Sequence, residues 1–184
     1  MIILQIGIWN INEMKRQQPT MSPQDIAVLL KIVSYGNLPW QQQPLAVALS
    51  LSQSEISKSL MRSKFSGLLD LSGKNVSKIS LMEFLHYGIS YAFPVRPGSM
   101  VRGVPTGHSA SPLSKIIQSD EHYVWPSAQG TLRGQAIEPL YKNVVKAVQH
   151  DSALHELLAL VDAIRVGRVR EKQLAVEELK KRLK

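Results

Sequence analysis

The stretch LAVALSLSQSEISKSL, Leu45 to Leu60, constrains the fold more tightly than any other part of the chain. A short apolar pattern of Leu45, Ala46 and Leu49 breaks at Ser50 and Leu51, and a second pattern starts behind Ser52. Ser52 and Glu55 make an S-x-x-E capping box, in which the hydroxyl accepts an amide of the first turn and the carboxylate reaches back to the capping residue. The spacing predicts a sharply started helix over Gln53–Ser66. Ile56 and Leu60, four apart, share its inner face, while Ser54, Ser57, Lys58 and Met61 fall on the opposite one. Short hydroxyl side chains with a lysine, and then Arg62, suit a surface pressed into a DNA major groove, where hydroxyls meet base edges and cations meet phosphates.

The flanking sequence supplies a frame for this helix-turn-helix. Ser22 caps a preceding helix, Pro23 takes its first position, Asp25 adds an acid to the first turn, and Ile26, Leu29, Leu30 and Val33 form one apolar stripe. Gly36 ends that helix, and Pro44 requires the next to begin within about a turn of it. Gly67 is a C-terminal stop. Leu68–Leu71 and Val76–Ser80 flank Ser72-Gly73-Lys74-Asn75, a turn-rich tetrapeptide suited to closing a β-hairpin. A second S-x-x-E box at Ser80 and Glu83 is expected to open a helix with Phe84, Leu85, Gly88, Ile89 and Ala92 on one side, ended by Pro94.

Ala46, Leu49, Leu51, Ser52, Ile56, Ser57 and Leu60, followed by Gly67-Leu68-Leu69 and a hairpin, resemble the DNA-binding unit of MarR-like winged helix-turn-helix regulators of bacteria. The resemblance covers roughly residues 22–80. It departs from the pattern at Ser50, where the turn usually holds glycine. The resemblance implies a transcriptional regulator of double-stranded DNA, without enzymatic activity. In it Gln53, Ser54, Ser57, Lys58 and Arg62 would read the major groove, while Lys74, Asn75 and Lys78 of the wing would touch backbone or minor groove. A second reading is a protein-binding module, such as an antitoxin or adaptor, that grips a partner through residues 94–149.

The expected fold class is mainly α with a small β-hairpin: a winged helix-turn-helix domain at 21–93, a loop-rich segment at 94–149 and C-terminal helices at 150–184. Residues 1–20 break the helical rhythm and stand as an added strand, a partner-binding arm or sequence upstream of the native start. Between Pro94 and Pro139 lie six of the ten prolines and five of the eleven glycines, so regular elements there must be short. Val101, Val104, Tyr123, Trp125, Ile137, Leu140 and Tyr141 make that segment too apolar for a disordered linker. Asp151 caps a final helical region whose apolar residues run from Leu154 to Ile164. Beyond Gly167, where the helix either bends or runs on, a stripe of Val176, Leu179 and Leu183 suits pairing with a second copy, as a homodimer on a palindrome requires.

Composition narrows the chemistry. Among 184 residues, 22 basic against 14 acidic side chains give a net charge of +8, which favours an anionic partner. The absence of cysteine excludes disulfides, thiolate metal sites and cysteine nucleophiles. No apolar run approaches the roughly 20 residues of a membrane span, and MIILQIGIWNI has its charges, Lys15 and Arg16, on the wrong side for a signal peptide. A cytoplasmic location without membrane contact is therefore expected. Gly107-His108-Ser109 lacks G-x-S-x-G, and Asp120-Glu121-His122 cannot easily converge on one ion. His150 and His155 miss the i, i+4 spacing. No cofactor, metal or catalytic residue is assigned, although Arg102-Gly103 and Arg133-Gly134 mark an ordered loop region able to hold an anion.

Overall fold

A computed structural model describes residues 19–183. The expectations for residues 1–18 lie outside these described residues. Among the described residues the chain is mixed, with helices over about 53% of them and one small three-stranded sheet.

Helix α1 (Pro23–Ser34) begins behind Ser22 with Pro23 at the first position, but the Ser22 hydroxyl makes no capping bond; the start is closed by the Ser22 amide donating to the Asp25 carboxylate at 2.8 Å. Its apolar surface is wider than the single stripe expected. Ile26, Ala27, Val28, Leu29 and Leu30 are all fully buried, because α2 (Gln42–Leu49), α3 (Gln53–Phe65) and the distant α7 (Ser152–Val166) all pack on it. A helix apolar all round belongs at the centre of a fold, and α1 holds that place. Helix α3 ends where Gly67 permits it. With φ at 74°, Gly67 donates its amide to the Lys64 carbonyl and Leu68 donates to Ser63, which closes a Schellman turn.

The expected hairpin shrinks to one antiparallel bridge, Leu69 to Val76, with the Ser77 amide on the Leu68 carbonyl. Its second arm stops there, because helix α4 (Lys78–Glu83) starts behind Ser77 and not behind Ser80. The Ser77 hydroxyl donates to Ser80 Oγ at 2.8 Å, and the Leu81 amide reaches the Ser77 carbonyl, so Ser80 is already helical and Glu83 is exposed. A π-turn over Phe84–Gly88 leads into α5 (Ile89–Ala92). The wider turn keeps Leu81, Leu85 and Ile89 buried in series, while Ala92 points to solvent.

Strands β1 (Met100–Pro105), β2 (Tyr123–Pro126) and β3 (Leu132–Ala136) form the sheet, which the sequence patterns did not forecast. It closes on itself: β1 runs antiparallel to both others, with Val104 opposite Trp125 and Arg102 opposite Arg133, while β2 and β3 pair in parallel. Only glycine fits its interior. A Cβ on Gly130 would lie 2.1 Å from the Gly103 carbonyl carbon, and one on Gly103 would lie 2.2 Å from the Trp125 carbonyl oxygen.

The sheet is fastened to α7 by a buried charge pair. Asp162, on the sheet-facing side of α7, accepts from the Trp125 indole at 2.6 Å, from the Thr106 hydroxyl at 2.9 Å and from Arg165 at 2.6 Å. Arg165 donates further to the carbonyls of Phe93 and Glu138. Arg165, though it opens the basic run at the end of the chain, is buried and spent on the interior. Burial pushes the Asp162 carboxyl upward, and its donors, Arg165 foremost, pull it back.

A short helix α6 (Val144–Val148) precedes α7, which Asp151 caps by accepting the Leu154 amide while pairing with Lys31 of α1 at 2.6 Å. The chain then turns at Gly167, in extended conformation, and α8 (Val169–Arg182) folds back on α7. Val176, Leu179 and Leu183 are buried in that hairpin, so the stripe expected to pair with a second copy is used within the chain. One continuous apolar core runs from Ile26 through Trp125 and Leu140 to Leu183. No described helix is long and apolar enough to cross a membrane.

Candidate nucleic-acid interface

The turn between α2 and α3 is the point from which this surface is built. Ser50 ends α2 in the left-handed region, φ 52° and ψ 42°, the position where the sequence departs from glycine. For a residue with a Cβ this costs about 1–2 kcal/mol. A side chain from a remote part of the chain holds the turn: Asn143 Nδ2, just before α6, donates to the Ser50 carbonyl at 2.7 Å. Two residues on, Ser52 Oγ accepts the Glu55 amide, and Glu55 accepts both the amide and the hydroxyl of Ser52 at 2.8 Å. These bonds, the backbone one first, hold the Glu55 carboxyl below the usual carboxylate range. The one acid near the start of α3 is therefore occupied by its own cap.

Behind the cap, Ile56, Ser59, Leu60 and Ser63 face inward, and Gln53, Ser54, Ser57 and Lys58 are exposed. Ser59 and Ser63 keep their hydroxyls buried without a partner among the described residues; their small size is what brings α3 close to α1. The outer face continues past the residues predicted for it. Beyond Met61, which the spacing already places there, Lys64 and Phe65 extend it, Met61 and Phe65 at 57% and 59% exposure. The i, i+3, i+4 rule beyond Lys58 already pointed to them.

Arg62 leaves this set. Its guanidinium grips Asp25 of α1 with two hydrogen bonds, Nε to Oδ2 at 2.8 Å and Nη2 to Oδ1 at 2.6 Å, and Asp25 is wholly buried. The Asp25 hydrogen bonds hold the guanidinium above its ordinary pKa. A side chain fixed by a fork-to-fork pair is an anchor between helices and is not available to read a base.

The turn after α3 is held by Asp70, whose carboxylate accepts from the Ser72 hydroxyl, the Lys74 and Asn75 amides and the Asn75 side-chain amide. Lys74 and Asn75 are exposed, but Asn75 Nδ2 is spent on Asp70, and the Lys74 ammonium stands 5.2 Å from the ring centroid of Trp40. Trp40 Nε1 also donates to the Lys74 carbonyl at 3.0 Å. Lys78 is half-buried at the first turn of α4 and lines, with Trp40 and Lys74, a groove of about 430 Å³. Lys78 is therefore not part of a wing strand.

Asp70 gives the turn a pH signature. Four donors, those of Asn75 foremost, hold its folded pKa far below the roughly 3.9 of an unfolded Asp. A depressed folded pKa means that the stabilisation is complete above the unfolded value and disappears as pH falls through the folded one. We expect the Asp70 carboxyl signal in NMR to stay that of a carboxylate when the pH passes below 4, with Asp70→Asn loosening the turn at every pH. Titration at the ordinary Asp value would contradict the geometry.

Of the histidines and acids set aside in the sequence, His108, His155 and Glu121 have structural partners. His108 is buried with Nε2 on the Glu121 carbonyl, Ser109 Oγ accepts the Tyr123 amide, and His155 Nε2 lies 2.8 Å from the Pro105 carbonyl. Among the described residues no three His, Asp or Glu side chains group around a metal-sized site. Comparison with protein-family models, with curated proteins and with solved structures finds no match.

Proposed function

We propose that this chain is a winged-helix DNA-binding protein, a transcriptional regulator that lays the outer face of α3 in a major groove. The observation that carries this is the combination of a rigidly started α3 with a face, Gln53, Ser54, Ser57 and Lys58, that is exposed and free of any acid except the capping Glu55. The bridge at Leu69–Val76 and the Asp70 turn follow α3 in the chain, and in this reading they serve as a short wing. Lys58 and Lys64 have no carboxylate within ion-pair distance among the described residues and are available to phosphates.

Anisotropy titration of labelled duplexes from the upstream region of the protein's own gene, over several salt concentrations, tests the proposal. Affinity should fall steeply with salt, as counterion release demands. Ser57→Glu with Lys58→Glu should weaken specific binding by roughly 10²-fold, the worth of one or two good base or phosphate interactions, with an unchanged circular dichroism spectrum. An unchanged affinity in that variant would move the assignment to the second reading. That reading places the grip in residues 94–149; the exposed Met61 and Phe65, apolar side chains four apart on α3, favour a protein contact made instead by this helix.

A further inference from the structure

A second basic surface lies at the foot of α3. Between β1 and α6 runs an open groove of about 590 Å³, walled by Val104, Ser127, Gln129, Lys142, Lys146 and His155 among others, and no carboxylate lines it. Lys142 and Lys146 are exposed, Lys142 in the turn just before α6 and Lys146 within α6. On β1, Arg102 is two residues before Val104 and so points to the same side of the strand. Directly opposite it in the sheet stands Arg133. Like charges facing each other across a strand pair are destabilising. Both arginines are exposed, and neither makes an ion pair among the described residues. The fold carries this repulsion with nothing in the described chain to relieve it.

Asn143 connects the groove to α3. It lines the groove and donates to the Ser50 carbonyl, the residue that turns the chain into α3. The basic surface therefore begins at the end of α3 where Gln53 and Ser54 are exposed.

We propose that Lys142, Lys146, Arg102 and Arg133 hold the sugar–phosphate backbone of the duplex whose major groove α3 enters. This rests on the DNA-binding function proposed above. The chemistry of the walls favours a duplex backbone. Two lysines in an open groove that also presents serine and amide side chains, with an arginine pair on the adjoining strands β1 and β3, match phosphates along a backbone. No Phe, Tyr or Trp ring lines the groove, and its one ring, His155, is held by the Pro105 carbonyl and set against Trp125, so the groove lacks the row of aromatic rings on which successive unpaired bases stack.

Two variants of the full chain, Lys142→Gln with Lys146→Gln and Arg102→Gln with Arg133→Gln, separate this surface from α3. Each phosphate no longer neutralised should flatten the slope of log affinity against log salt by about 0.9, so each double variant should flatten it by about 2 between 50 and 200 mM salt. The ratio of affinities for the preferred and a scrambled duplex should not change. The arginine variant should in addition melt no lower than the parent, since it removes a like-charge pair. Slopes equal to the parent's, with binding otherwise intact, would overturn the backbone assignment and leave the α3 assignment standing. Flattened slopes combined with no effect of the Ser57→Glu, Lys58→Glu change would do the reverse. A parent protein that binds no duplex, or a groove that binds inorganic pyrophosphate in calorimetry while both double variants keep the parental DNA slope, would overturn the proposal.

Discussion

Asp162→Ala should cost about 3–5 kcal/mol, the destabilisation seen when one partner of a buried ion pair is removed. Most of that cost comes from what stays behind. Arg165 keeps its hydrogen bonds to the Phe93 and Glu138 carbonyls but becomes an uncompensated buried cation, and the Trp125 indole and Thr106 hydroxyl lose their acceptor. These groups come from the end of β1, from β2, from the exit of α5 and from the segment after β3, so the damage is distributed over the whole junction between the sheet and α7. The urea midpoint is the measurement, with the denaturant slope unchanged if unfolding stays two-state. A combined Asp162→Leu, Arg165→Met variant should lose less than Asp162→Ala alone, because removing both charges leaves no bare ion. A loss under about 1 kcal/mol in Asp162→Ala would show that the network does not hold the sheet in place, since even a neutral buried hydrogen bond contributes that much.

Nothing local in the sequence announced this network, although one trace of it is visible there. Asp162 interrupts the apolar run LLALVDAI, and an acid in such a run is either a break in the helix or a buried charge with a partner elsewhere. The partners, Thr106 and Trp125, lie 56 and 37 residues away. The parts of the fold that could be read in advance are those decided within a few residues: the Ser22 and Ser52 starts, the Asp151 cap, the Gly67 stop. The sheet escaped because its strands are short and its interior needs Gly103, Gly130 and Gly134 where an alternating pattern would show apolar side chains. Both ladders of β1 are also non-local, and the one short-range pairing, Tyr123 with Gln135, is parallel and so leaves no hairpin signal. The same limit explains Ser80, whose box with Glu83 is a sound local signal overridden one turn earlier, when the Leu68 carbonyl claims the Ser77 amide and fixes the start of α4. On the candidate interface the helical spacing correctly separated the outer residues Ser54, Ser57 and Lys58 from the inner Ile56 and Leu60.

Arg62→Ala is the variant for which the pattern and the structure give opposite expectations. By its spacing on α3, Arg62 belongs with the groove-reading residues, and its removal would weaken DNA binding while leaving stability alone. By its geometry it neutralises Asp25, a wholly buried carboxylate whose remaining partner is the Ser22 amide. The structure therefore predicts a fall in unfolding free energy. Complete burial of both partners would set it at about 3–5 kcal/mol, and the partial exposure of Arg62, at 20% of its side chain, places it toward the lower end. Arg62→Lys should recover only part of it, because a single ammonium cannot reproduce a two-point grip on a carboxylate. Asp25→Asn with Arg62→Gln, an amide pair of similar shape without charge, should be more stable than Arg62→Ala. Below its melting transition, Arg62→Ala should keep the parental ratio of specific to scrambled DNA affinity. A variant that melts like the parent yet loses that ratio would return Arg62 to the reading face and would require the Asp25 pair to open when α3 meets DNA.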